Sequence, residues 1–170
     1  LERGYGIPLR PLTLFAEKTY PELTPEAAAL HAITLMMFKL EGQLIRRNPD
    51  FDMDERLLLD KIDWKQHCFT DEAGTWPLRE LPPLHLCEKD AYALSEAENA
   101  VVQELVEAFR QSLRLQRQVE FLYEQGRMYR CCNQNLLFHG CIPMTEEGAF
   151  RPVKVEGVKR SGRSLMDALD

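Results

Sequence analysis

The stretch NLLFHGCIPM, from Asn135 to Met144, marks where a chain of helical patterns changes character. Leu136, Leu137 and Phe138 form a short apolar run that ends on His139. Gly140 then lets the backbone swing away, and Pro143 blocks a return to regular structure. A brief apolar run bounded by turn residues reads as a buried strand. Everything long and periodic lies upstream of it, so the pattern is of helices first and strands second. That order predicts an α+β fold.

A lone histidine on an apolar strand is more often a satisfied core residue than a ligand. Three features favour a ligand here. His139 sits at the strand exit, where a rigid scaffold meets an open loop. Gly140 removes a side chain that would crowd a bound group. Neutral imidazole also suits manganese, iron and zinc. A metal needs partners, however, and the chain has no Gly-Asp, Asp-x-His or Gly-Asn-His. G-x-S-x-G is missing too, and a Cys141–His139 dyad lacks a third member. Taken alone, the chain is expected to be catalytically inactive.

Working outward, Met128–Cys132 is a second strand, joined to the first through Asn133-Gln134. Downstream, Glu147-Gly148 makes a turn before a further strand in AFRPVKV. Ser161 or Ser164 then caps a helix holding Leu165, Met166 and Leu169. Upstream, Ser95-Glu96-Ala97-Glu98 is a capping box. From it Val101, Leu105, Ala108, Ser112, Leu115, Val119 and Leu122 recur at heptad spacing as far as Gly126. One continuous helix over that range would be about 45 Å long.

Farther upstream, Leu12, Phe15 and Ala16 mark a short helix over residues 11–19. Thr24 and Pro25 start a long one that runs to Arg47, stopped by Asn48-Pro49. Its apolar stripe is Leu30, Ile33, Met37, Leu40 and Leu44, which is expected to pack antiparallel on the 101–122 stripe. Met36 and Phe38 widen it, so more than one side should be covered. A shorter helix is expected from Asp52 through Met53, Leu57, Leu58 and Ile62. A small hairpin follows around Ala73-Gly74, and the Pro-rich remainder to Ala93 reads as loop.

Composition narrows the function classes. The 170 residues are 45% hydrophobic, as in a globular domain, with no apolar run near the ~20 residues of a membrane helix. A net charge of −6 argues against nucleic acid as the main partner. The basic stretch from Lys154 to Arg163 reads as a solvated face or loop. Five cysteines, Cys68, Cys87, Cys131, Cys132 and Cys141, without a signal peptide, point to free thiols in a reducing compartment. Zinc would need His67-Cys68, His85-x-Cys87 and Cys131-Cys132, and none has knuckle spacing. Cys131 and Cys132 are more simply small core residues. Neither chain end looks like a natural terminus, so a piece of a longer protein is expected.

GYGIPLRPL, FKLEGQLIRRNPDFDMDERLLLDKID, FLYEQGRMYRCCNQNLLFHGCIPM and SLMDAL together resemble the class III fructose-1,6-bisphosphatases of bacteria. The likeness covers nearly the whole chain in order, with KLEGQLI and NLLFHGCIP its most specific parts. Residues 66–86 depart most from it. The resemblance implies a cytoplasmic, metal-dependent hydrolase that removes the 1-phosphate of fructose 1,6-bisphosphate in gluconeogenesis. It also implies a metallophosphoesterase-like α/β/β/α sandwich with a dinuclear manganese site. His139 would be one metal ligand, and the other ligand motifs would lie before Leu1 and after Asp170. Residues 1–20 would be the tail of a preceding core segment. Residues 21–126 would be a mainly helical insertion, built on the antiparallel helix pair, and 127–170 a return to the core. Arg46, Arg47 and Arg56 offer guanidinium for phosphate, although ordinary surface charge is the simpler reading. The substrate contacts and the state of assembly are left open. The alternative is a helical protein–protein interaction module, with the 95–126 helix as docking element and an apolar stripe bare in the monomer.

Overall fold

Prolines at helix starts organise the first half of the chain. The structure is a computed structural model that describes residues 1–79, 83, 90–138, 140 and 142–170. His85, Cys87, His139 and Cys141 lie outside the described residues. The chain divides into two compact units, Leu1–Gln116 and Arg117–Asp170.

In the first unit, α1 (Glu2–Tyr5) closes on Gly6 at φ 69°. α2 (Arg10–Thr19) carries Pro11 in its first turn. α3 (Pro25–Arg47) starts where Thr24 Oγ1 accepts the Ala27 amide at 3.4 Å, with Pro25 pre-set for the helix. α2 packs along α3, and α4 (Glu96–Gln111) packs against α2. Leu12, Ala16, Tyr20, Ala28, Ala32, Met36 and Val101 form the joint core. Fully burying a side chain such as Met36 contributes about 1.5–3 kcal/mol. Small residues on α2 and α3, Ala16, Ala28 and Ala32, are what let the helices close up.

The expected pairing of α3 is overturned. Its buried face is Ala28, Ala32, Leu35, Met36, Lys39, Gly42 and Ile45. The Leu30–Leu44 stripe lies on the opposite side: Leu30 is 63% exposed, Met37 61% and Leu44 48%. At 100° per residue the two series differ by nearly half a turn, and both are apolar. Periodicity alone could not choose between them. The chief neighbour of α3 is α2, not the 101–122 series.

The helix expected from Asp52 is also absent. Residues 49–61 form three successive 3₁₀ turns, Pro49–Phe51, Asp54–Arg56 and Leu58–Lys61. Asp52 is left-handed at φ 52°, which breaks any α-helix there. A distant hydroxyl fixes the last turn: the amides of Leu59 and Asp60 donate to Tyr92 Oη at 3.0 and 3.3 Å. Ile62 then enters β1 (Ile62–Asp63), which pairs antiparallel with β2 (Cys68–Asp71), and β2 with β3 (Gly74–Pro77). The hairpin is present, but its register places the turn at Glu72-Ala73, where the Ala73 amide donates to Asp71 Oδ1 at 2.8 Å.

The 95–126 helix is two helices. α4 begins with the expected capping box, Glu98 N donating to Ser95 Oγ at 3.2 Å and Ser95 N to Glu98 Oε2 at 2.7 Å. It ends at Ser112, whose ψ of 95° leaves helical space. α5 (Leu113–Gln125) follows with no buried residue.

In the second unit, β4 (Tyr129–Cys132) and β5 (Asn135–Phe138) form an antiparallel hairpin. Asn133 and Gln134 both take left-handed φ, 49° and 62°, as a tight two-residue turn requires. β6 (Val153–Val155) and β7 (Val158–Arg160) form a second hairpin through Glu156-Gly157. The basic stretch from Lys154, read as a solvated face or loop, keeps Lys154 and Lys159 exposed and adds β7 to the strand expected in AFRPVKV. α6 (Gly162–Leu169) follows, capped by Ser161 with Ser164, and buries Leu165 and Met166. Cys131 and Cys132 are exposed instead of core. Their two-stranded hairpin has no layer on both faces among the described residues. The molecule is therefore α+β, with one three-stranded sheet and two hairpins among the described residues.

Candidate functional site

β5 leads directly to His139, so the surface around its exit is the place to look for chemistry. Cross-strand pairing puts Tyr129, Cys131, Leu136 and Phe138 on one face of the β4–β5 hairpin. With Ile142, Phe150 and the first turns of α6, that face walls an apolar cavity of about 370 Å³. Phe138 and Ile142, which flank the His139 segment in sequence, are both in the wall. Gly162 takes φ 50°, and a Cβ there would sit 3.0 Å from the Phe150 ring. That position needs glycine twice over.

One rim of the cavity is polar. Tyr129 Oη donates to Asp167 Oδ1 at 2.8 Å, and Arg163 Nε lies 3.4 Å from Asp167 Oδ2. The bond to Asp167 pushes the Tyr129 phenol above its usual range, while Tyr129 and Asp167 together hold Arg163 more firmly as a cation. Met128 N donates to Asp170 Oδ1 at 2.6 Å, tying the end of α6 to the start of β4. These groups fix the helix on the hairpin and leave an apolar hollow with one acid, one phenol and one guanidinium at its edge.

Gly140 lies at φ 82°, with open space where a Cβ would project. The backbone sign of the turn favours glycine there, with no crowding among the described residues. No group of three or more His, Cys, Asp or Glu side chains able to hold a metal occurs among the described residues. The described residues do not by themselves fit a dinuclear metal site.

Two of the three arginines considered for phosphate are otherwise engaged. Arg46 bridges Asp60 at 3.2 Å and Asp90 at 2.9 Å, and its guanidinium lies 4.2 Å from the Tyr92 ring centre. Arg56 Nε donates to Glu41 Oε1 at 2.7 Å. Arg47 is exposed at the end of α3.

What the sequence reading missed is the knot around KLEGQLIRR. Lys39 Nζ donates to both oxygens of Glu98, at 3.0 and 2.8 Å, and both residues are wholly buried. A Cβ on Gly42 would meet the Tyr92 ring at 2.0 Å, and Gln43 Nε2 donates to the Tyr92 carbonyl at 2.7 Å. The mid-helix glycine was the available signal, because such a residue usually marks a close approach. KLEGQLI, one of the two most specific strings, thus carries packing contacts of α3.

The chain belongs to the Firmicute fructose-1,6-bisphosphatase family, whose model matches residues 1–170. Among curated relatives, it is 37% identical to the class 3 fructose-1,6-bisphosphatase of Clostridium novyi (strain NT) over 189 aligned residues. It is 37% identical to that of Listeria monocytogenes serotype 4b (strain CLIP80459) and 36% to that of Parabacteroides distasonis. In each case all of this chain is covered. It spans only 28 to 29% of the relatives' own length. No solved structure matches.

Proposed function

We propose that this chain is part of a cytoplasmic, manganese-dependent phosphatase that hydrolyses the 1-phosphate of fructose 1,6-bisphosphate. The observation that carries the reading is that all 170 residues are covered by the match to proteins named class 3 fructose-1,6-bisphosphatase. Two metal ions would clamp the phosphate and acidify a bound water. His139 is the ligand this chain contributes, and the remaining ligands belong to the rest of the polypeptide. Residues 1–20 and 127–170 are then parts of a metallophosphoesterase-like sandwich, and 21–126 is a mainly helical insertion. No helix among the described residues is long and apolar enough to cross a membrane.

The test is an assay with fructose 1,6-bisphosphate and manganese. The 170-residue chain should be silent, and a polypeptide extended to the length of the relatives active, with activity lost to a chelator and regained on adding manganese. Turnover by the short chain, or silence from a folded long one, counts against the proposal. In the long form, His139→Ala should lower activity by at least about 100-fold and reduce bound metal, since it removes a ligand outright. A normal metal content in that variant returns His139 to the core-histidine reading.

A second reading, a helical interaction module, keeps one supporting observation. α5 buries nothing, and Leu122 is 64% exposed, although Leu105 and Leu115 are half-buried. The two readings are compatible if the module lies within the enzyme.

A further inference from the structure

α3 is apolar on two sides; its buried residues lie on the inner one, and of the outer series only Ile33 packs against the core among the described residues. On the outer side Leu30, Ile33, Met37, Leu40 and Leu44 advance in alternating steps of three and four. Leu30, Met37, Leu40 and Leu44 are exposed, and Ile33 is half-buried. Steps of three and four average 3.5, the repeat that keeps one seam in line along a supercoiled helix pair. Glu26 and Arg47 extend the series by one step at either end, giving a seam about 30 Å long. A bare apolar seam rimmed by charge marks an interaction surface.

The sequence of the seam says what fits it. In an antiparallel pairing of two such helices about Met37, Leu30 falls opposite Leu44, and Ile33 lies one residue, about 1.5 Å along the axis, from facing Leu40. Met37 meets Met37, and Glu26 comes within the same one-residue offset of Arg47 at both ends, within reach of these long side chains. A parallel pairing would instead set Glu26 against Glu26 and Arg47 against Arg47. Both charged residues are exposed, and neither has an ion-pair partner among the described residues. A surface complementary to itself under a two-fold rotation is what an isologous contact requires.

We propose that α3 docks antiparallel on α3 of a second copy of this chain, with Met37 at the two-fold axis and Glu26–Arg47 pairs closing both ends. A single helix pair lies at the small end of specific interfaces, so association in the micromolar range is expected. The inference does not depend on the phosphatase reading.

Sedimentation equilibrium of the full-length polypeptide at about 1–100 µM tests it. The expected result is a dimer mass, reduced to a monomer by Met37→Glu, which brings two carboxylates together on the axis. Glu26→Arg and Arg47→Glu should each weaken association about tenfold, and the two together in one chain should restore it, because the ion pairs are merely reversed. Should Met37→Glu not fold, the charge-reversal series decides alone. If another part of the same polypeptide covers the seam, the wild type is monomeric and Met37→Glu lowers its melting temperature; that result overturns the proposal. So does association that survives Met37→Glu, or a double reversal that recovers nothing.

Discussion

Lys39 and Glu98 show how much a single buried contact can decide. Neither side chain reaches solvent, and the carboxylate also accepts the Ser95 amide at 2.7 Å, so the pair joins α3 to the start of α4. Lys39→Met leaves a carboxylate buried beside a methyl group and should cost about 3–5 kcal/mol, measured by urea unfolding. Adding Glu98→Gln should recover a large share, because a neutral amide is cheaper to bury. Equal losses in single and double variants would show that the helix cap, not the ion pair, matters. Asp90 supplies a pH-dependent contribution nearby. The Tyr92 amide at 3.0 Å, and then Arg46, hold its carboxyl below the ordinary value of 3.8. A depressed folded pKa gives stability that is complete above the unfolded value and is lost as pH falls through the folded one. Asp90→Asn should therefore narrow the stability gap to wild type between pH 5 and pH 3, read from denaturation midpoints. The gap should be small, because Arg46 and Asp90 are half exposed and solvent screens them.

Among the elements, those set by adjacent residues were legible and those set from a distance were not. The caps at Thr24 and Ser95, the stop at Asn48-Pro49 and the Asn133-Gln134 turn follow from local chemistry. The end of α4 does not, because the heptad series runs through Ser112 without interruption. The break coincides with a bond to the far end of the unit: Ser112 Oγ donates to the Tyr5 carbonyl at 2.6 Å, and Arg114 reaches the Gly4 carbonyl at 3.2 Å. Ser112→Ala should cost about 1 kcal/mol by removing that hydrogen bond, with helix content by circular dichroism unchanged or higher. No change in stability would mean that the hydroxyl follows the bend and does not support it. β7 is the opposite case, since its signal was present. VKVEGVKR alternates valine with cations on both sides of Glu156-Gly157, whose φ values are 48° and 79°. Clustered cations fit a solvated face or loop equally well, so charge alone does not separate a hairpin from a loop here.

For the whole molecule, the α+β class and the family were legible, whereas the candidate site was legible only as one histidine and a glycine turn. A metal cluster is assembled from separated segments, and spacing within one strand cannot reveal partners that the strand itself does not carry. The distribution of apolar burial leads to the last expectation. Of the buried hydrophobic residues among those described, twelve lie in Leu1–Gln116 and only Leu165 and Met166 in Arg117–Asp170. In the second unit Leu136, Leu137, Phe138, Phe150 and Val158 remain exposed. β5 is apolar on both faces, which suits a strand covered on both sides, and a two-stranded hairpin is marginal alone. Residues 1–116 produced separately should therefore unfold cooperatively on heating. Residues 117–170 alone should show no sharp transition and should bind a hydrophobic dye such as ANS. A cooperative melt from the 117–170 peptide would mean that its hollow of Tyr129, Leu136, Phe138 and Met166 is a finished core, and that no further strands are needed to complete it.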